Sequence, residues 1–199
     1  MMKKILSYGV DFTLRPRSAT RALMREMERV KLGVGSTVLF ALMYSYAALM
    51  LHYAGIKPAI KPLLPIKKDR YYLWQSFFTL PWSVTEWYIG LLAVHGICGR
   101  QMPHTTLSDL VGPFSFASIV PWLYLAWFPE TTIIPARGGD DPPWTPSVDA
   151  ARQYAAALWT AVLVAVVVKE VYGVSWLRAI LAGGARSMIL FAMFLPFMR

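Results

Sequence analysis

Apolar residues arrive along this chain in blocks of about twenty, the length a helix needs to cross roughly 30 Å of hydrocarbon. No other feature constrains the fold so tightly. Inside a bilayer an isolated block must satisfy its own backbone hydrogen bonds, so each block is expected to coil into a helix. Five blocks stand out: residues 32–54, 71–98, 107–128, 150–172 and 175–198, the last interrupted by Gly183, Gly184 and Arg186. Hydrophobic residues make up 56% of the chain, above the roughly 45–50% of soluble domains, which also break them into shorter runs. The expected fold is all-α: a polytopic integral membrane protein with a five-helix transmembrane bundle over residues 32–199.

The segment before the first block is basic. The opening MMKKILSYGVDFTLRPRS has no apolar core ahead of its arginines, so it does not read as a cleavable signal peptide. From Ser18 onward Leu23, Met24, Met27 and Val30 recur at helical spacing, opposite a ridge of Arg21, Arg25 and Arg29. This predicts an N-terminal amphipathic interfacial helix within residues 1–31, with Arg15, Arg17, Arg21, Arg25, Arg29 and Lys31 facing anionic lipid or a cytosolic partner. The net charge of +9 is assigned to such flanking residues rather than to nucleic-acid binding. Because the densest Lys/Arg cluster usually stays inside, the N-terminus is expected in the cytoplasm and the C-terminus outside the inner membrane.

Local signals mark several helix ends. Thr106 and Asp109 have capping-box spacing, which makes Asp109 a helix cap rather than an acid catalyst. Gly173 follows the fourth block, where a C-terminal glycine belongs. Pro81, Pro113 and Pro121 each remove a backbone donor within a block and are expected to bend it.

Several stretches resemble a known family. YYLWQSFFTLPW, followed by an apolar run ending VHGICGR, is similar to the second-span signature of the Yip family of membrane proteins. SDLVGPFSFASIVPW resembles that family's third span, VVVKEVYGVSWLRAIL its fourth-span exit, and LRPRSATR its proline-bearing lead-in. One departure is GRQMPHTT, where members often carry a Gly-Gly pair. The resemblance implies an integral membrane protein without established catalysis, similar to the short bacterial-type branch. Eukaryotic members bind Rab-type GTPases through a longer N-terminal region, and that property is not carried over to a chain with only this short lead-in.

The chemical inventory is thin. HExxH, GxSxG, GxxxxGK[ST] and CxxC are all absent, so no catalytic residue, metal site or cofactor is assigned. His52, His95 and His104 lie on different segments, and His95 reads as an interfacial hydrogen-bonding group. Cys98 is the single cysteine and reads as a small apolar residue. Glu86 is different. It lies roughly 22 Å along a helix from Tyr71 and 18 Å from Cys98, deep inside its block. An unpaired charge there costs ~2.5–3.5 kcal/mol or more and must face the bundle interior. Thr79, Ser83 and Gly90 share its face, which suits close helix contact. If the last block is one helix, Arg186 reaches a comparable depth, and Glu86 and Arg186 are a candidate pair. The alternatives are a proton or ion relay through Glu86 and a neutral, hydrogen-bonded Glu86. Two functions follow: a non-enzymatic scaffold making lateral contacts with other membrane proteins, or a small ion- or proton-coupled transporter or channel, which would need a homo-oligomer to frame its pathway.

Overall fold

The computed structural model describes residues 1–58, 65–99, 104–136 and 146–194. Among the described residues every regular element is helical. They are α1 (Met2–Leu14), α2 (Pro16–Met24), α3 (Arg29–Tyr53), α4 (Tyr71–Cys98), α5 (Leu107–Trp122), α6 (Phe128–Ala136), α7 (Pro146–Tyr172) and α8 (Trp176–Phe194). A π-helical stretch, Leu123–Trp127, joins α5 to α6. Residues 195–198 of the fifth expected crossing lie outside the described residues.

Four helices are long and apolar enough to cross a membrane: Arg29–Tyr53, Leu107–Thr132, Ala150–Tyr172 and Trp176–Phe194. The chain is therefore a helical protein with membrane-spanning character. The block at residues 71–98 forms one helix of 28 residues but is not among those four. Its composition explains this, because Trp, Tyr, Ser and Thr count as nearly neutral on a hydropathy scale although the aromatic bodies are apolar.

The long helices form a closed ring in the order α3, α4, α8, α7, α5 and back to α3. Glycine sets two of the crossings. A Cβ on Gly33 would lie 2.8 Å from the Gly112 Cα, so α3 and α5 touch backbone to backbone. A Cβ on Gly183 would strike the Ala161 carbonyl oxygen, so α8 meets α7 just as closely. The two glycines do not break α8, which runs unbroken through Gly183 and Gly184. Small residues permit this approach where lipid offers helices no hydrophobic reason to associate.

The N-terminal region differs from the single helix expected from Ser18. Residues 18–24 finish α2, whose start is set by Pro16 in its first turn, where a missing N–H costs nothing. Residues 25–28 turn, with the Glu26 N–H donating to the Leu23 carbonyl, and α3 begins at Arg29. The apolar residues are thereby separated: Leu23 is fully buried, whereas Met27 is 96% exposed. Ahead of α2 lies α1, to which no sequence pattern had assigned an element. Its Phe12 is buried and stacks on Phe116 at 5.4 Å. With α1 and α2 covering its outer face, α5 is the most enclosed long helix. The core that they share with Leu91, Val94, Phe114, Val164, Val168 and Ala182 fills one half of the ring.

Candidate functional site

Glu86 and Arg186 come together in the middle of the ring, across the contact between α4 and α8. Both are buried, at 4% and 2% exposure. The guanidinium meets the carboxylate edge to edge: Nη1 donates to Oε1 and Nη2 to Oε2, the latter at 3.1 Å. The remaining nitrogen, Nε, donates to Ser118 Oγ of α5 at 3.3 Å. The guanidinium carbon also lies 5.5 Å from the Phe114 ring centroid. Every nitrogen of the fork is thus used, and a planar cation in bidentate contact is the strongest form of such a pair. Gly90 makes room for it, since a Cβ there would lie 2.8 Å from Arg186 Cδ. Of the residues expected on the Glu86 face, Thr79 and Ser83 line a cavity above the pair and Gly90 lies against Arg186.

That cavity, about 170 Å³, occupies the half of the ring opposite the filled core, and Glu86 and Arg186 form its floor. Its walls come from α3, α4, α5 and α8, with Gln153 from α7 and Glu130 from α6. Near Glu130 is a second ion pair, to Arg152 at 3.1 Å, with both side chains about nine-tenths buried. Tyr44 donates to the same carboxylate at 3.3 Å. The local reason is a proline. Pro129 has no N–H, so the Leu125 carbonyl four residues earlier lacks its α-helical donor. Arg152 Nη1 supplies one at 2.8 Å and also reaches the Ala126 carbonyl at 3.1 Å. Arg152, Glu130, Ser118 and Tyr44 were not among the residues that the sequence pointed to. The adjacency of Pro129 and Glu130 at the end of a block was the one available signal.

The remaining expected residues lie elsewhere. Asp109 accepts from the Thr106 backbone N–H at 2.9 Å in a capping box, and it also takes Arg29 Nη2 at 2.7 Å. Arg21 reaches Glu170 at the end of α7 at 2.6 Å, with Arg17 3.9 Å from the same carboxylate. The Glu170 partner holds the Arg21 guanidinium above its ordinary pKa. Four of the six basic residues assigned to lipid, Arg17, Arg21, Arg29 and Lys31, thus lie within ion-pair distance of acidic groups of their own chain, while Arg15 and Arg25 are exposed. His95 shares a hydrogen bond of 2.6 Å with the Tyr172 hydroxyl, and Cys98 is buried beside the core. Among the described residues no group of His, Cys, Asp and Glu is placed to hold a metal ion. No protein-family model matches the chain, and no curated protein or solved structure matches it.

Proposed function

We propose that the chain is a non-enzymatic, five-crossing membrane protein of the Yip type that acts as a scaffold through lateral contacts with other membrane proteins. The observation that carries this reading is the Glu86–Arg186 pair. The one deep carboxylate of α4 is consumed in a bidentate contact that ties α4 to α8, which is how a structural fastener and not a reactive group is built. The family assignment rests on the sequence motifs quoted above.

A fifth crossing by α4 is supported by the direction of the helices. His95 of α4 meets Tyr172 at the end of α7, and Asp109 at the start of α5 meets Arg29 at the start of α3. At the other face, Tyr71 clusters with Ala48 and Leu51 near the end of α3. The end of α3 and the start of α5 therefore lie on opposite faces, and α4 is the element that joins them. The face that gathers Arg29, Glu170 and the N-terminal helices is read as cytoplasmic, with α1 and α2 as its interfacial layer beside anionic headgroups. Exposed Leu42, Tyr46 and Met50 on α3 and Leu158 and Val162 on α7 form the lateral contact surface.

The transporter reading has one observation in its favour, the cavity that reaches Glu86. Against it stands the filled half of the ring, where Leu91, Val94, Phe114 and Val164 are buried together in one apolar core. Reconstitution separates the two. The scaffold reading expects no proton or cation flux in proteoliposomes that Glu86→Gln abolishes, and such a flux would overturn it. Photo-crosslinkers placed at Leu42 and Leu158 in native membranes are expected to capture membrane proteins reproducibly. Capture of lipid alone from both positions would equally overturn it.

A further inference from the structure

The cavity above the Glu86–Arg186 fastener is charged in composition and neutral in balance. It is lined by two carboxylates, and each has its own guanidinium: Glu86 is matched by Arg186, and Glu130 by Arg152. An ion entering the space would add a charge with no counter-charge left to meet it, which burial penalises. The rest of the wall favours a different guest. Nine of the lining side chains are aromatic, among them Phe40, Phe78, Trp122 and Phe191. The Nε1 atoms of Trp87 and Trp122 are enclosed, so both indoles offer the space carbon and not a donor. Flat carbon surfaces of this kind pack well against another ring, offset-stacked or edge-on. The size agrees, since about 170 Å³ is close to the roughly 150 Å³ of a carbon-lined cavity that takes up benzene. Two serine hydroxyls complete the lining. Ser118 is 4% exposed, and its Oγ accepts from Arg186 Nε but donates to nothing among the described residues. Ser83 lies on the turn of α4 before Glu86, and its Oγ has no partner among the described residues. A carbonyl oxygen on the guest supplies the acceptor that both hydroxyls lack, and a bare hydrocarbon ring does not.

We propose that this cavity binds an uncharged planar ring bearing a carbonyl oxygen, with the ring between aromatic side chains and the oxygen at Ser118 and Ser83. This goes beyond the scaffold reading and does not depend on it: a scaffold without the site, or the site on a transporter, would each separate the two.

Fluorine NMR of the full chain in detergent, with protein-free micelles as the blank, tests the idea with four probes of one shape. These are 4-fluoroacetophenone, the anion 4-fluorobenzoate, the cation 4-fluorobenzamidinium and the alkene 4-fluoro-α-methylstyrene. Saturable binding of the ketone is expected, with both ions at least roughly tenfold weaker because neither finds a free counter-charge. The alkene, which keeps the ring but has no acceptor, should bind roughly threefold or more weakly than the ketone. No saturable binding of the ketone would overturn the site, and an ion bound as well as the ketone would overturn its neutrality. Thr79→Phe, which puts a ring into the space, should abolish ketone binding, and unchanged binding would place the site elsewhere. Joint Ser83→Ala and Ser118→Ala substitution should erase the preference for ketone over alkene. That preference is a ratio within one variant, so a loss of stability does not imitate it, and its survival would remove the serines from the site. The source of the ring is read from nanodiscs. If a long-chain quinone in the bilayer displaces the ketone, the ring is the head of a membrane lipid. If it does not, the ring belongs to a free solute.

Discussion

Gly183 and Gly184 adjoin in α8 but stand there for different reasons, and replacing them separately shows it. At Gly183 an added methyl meets the Ala161 carbonyl, a backbone atom that cannot move aside alone, so Gly183→Ala is expected to cost about 1–3 kcal/mol. At Gly184 the same methyl meets nothing within 4 Å, and Gly184→Ala should stabilise by up to ~1 kcal/mol through helix propensity. Thermal melting in detergent reads both, and equal shifts would remove the close crossing from the account. Glu86 and Arg186 invite a different experiment. Glu86→Gln and Arg186→Gln should each destabilise, because each strands one buried charge, and the double variant should recover part of the loss. A coupling on the order of 1 kcal/mol or more is expected, and strict additivity would mean that the two residues do not interact. Depth alone pointed to this pair, since counting residues from the ends of two blocks placed both charges where water is absent. Gly90 was legible as a small residue on the Glu86 face, but Ser118 completed the site unseen, because a serine in an apolar run carries no sign of which helix it faces.

Elements show where sequence patterns stop. The long helices follow from run length, but α1 does not, since it is only 13 residues long and apolar on two faces. Ile5 and Phe12 point into the protein while Met2, Leu6, Val10 and Leu14 form an exposed row, so no single stripe emerges. The π-helical stretch was equally hidden, because it depends on a donor that Arg152 brings from another helix. Docking of α1 is expected to respond to pH through Glu26, which accepts from Lys4 Nζ at 2.9 Å and Tyr8 Oη at 3.2 Å. The Lys4 hydrogen bond holds the Glu26 carboxyl below its ordinary 4.5. Its contribution is therefore present above that value and lost as pH falls through the lower folded-state pKa. Burial, reinforced by the Glu26 charge, pushes the Tyr8 phenol up to about 12. The folded state resists its ionisation, so docking should hold up to about pH 10 and weaken as pH rises from there towards 12. Amide exchange of α1 across pH 3–12 checks both limits, and exchange that differs only by the chemical rate of free amides would refute the coupling.

For the molecule as a whole, the long helices reverse direction from one to the next along the chain, which makes sidedness a single choice. Reporter fusions at residues 10 and 103 are expected to read cytoplasmic, and fusions at residues 62 and 140 to read external. A cytoplasmic signal at residue 140 would invert the arrangement or remove a crossing. The same ring has a consequence for how the protein is made. Glu86 and Arg186 are 100 residues apart in the chain. At about 5–20 residues per second, the ribosome takes roughly 5–20 s to deliver the arginine after the glutamate. In the five-crossing arrangement proposed above, α4 would spend that interval in the membrane with a carboxylate and no counter-ion, and α8 is the last described helix to arrive. A nascent chain stopped before residue 176 should accordingly be held by insertion factors or degraded. The charge that fastens the finished bundle would, in its absence, mark an unfinished one.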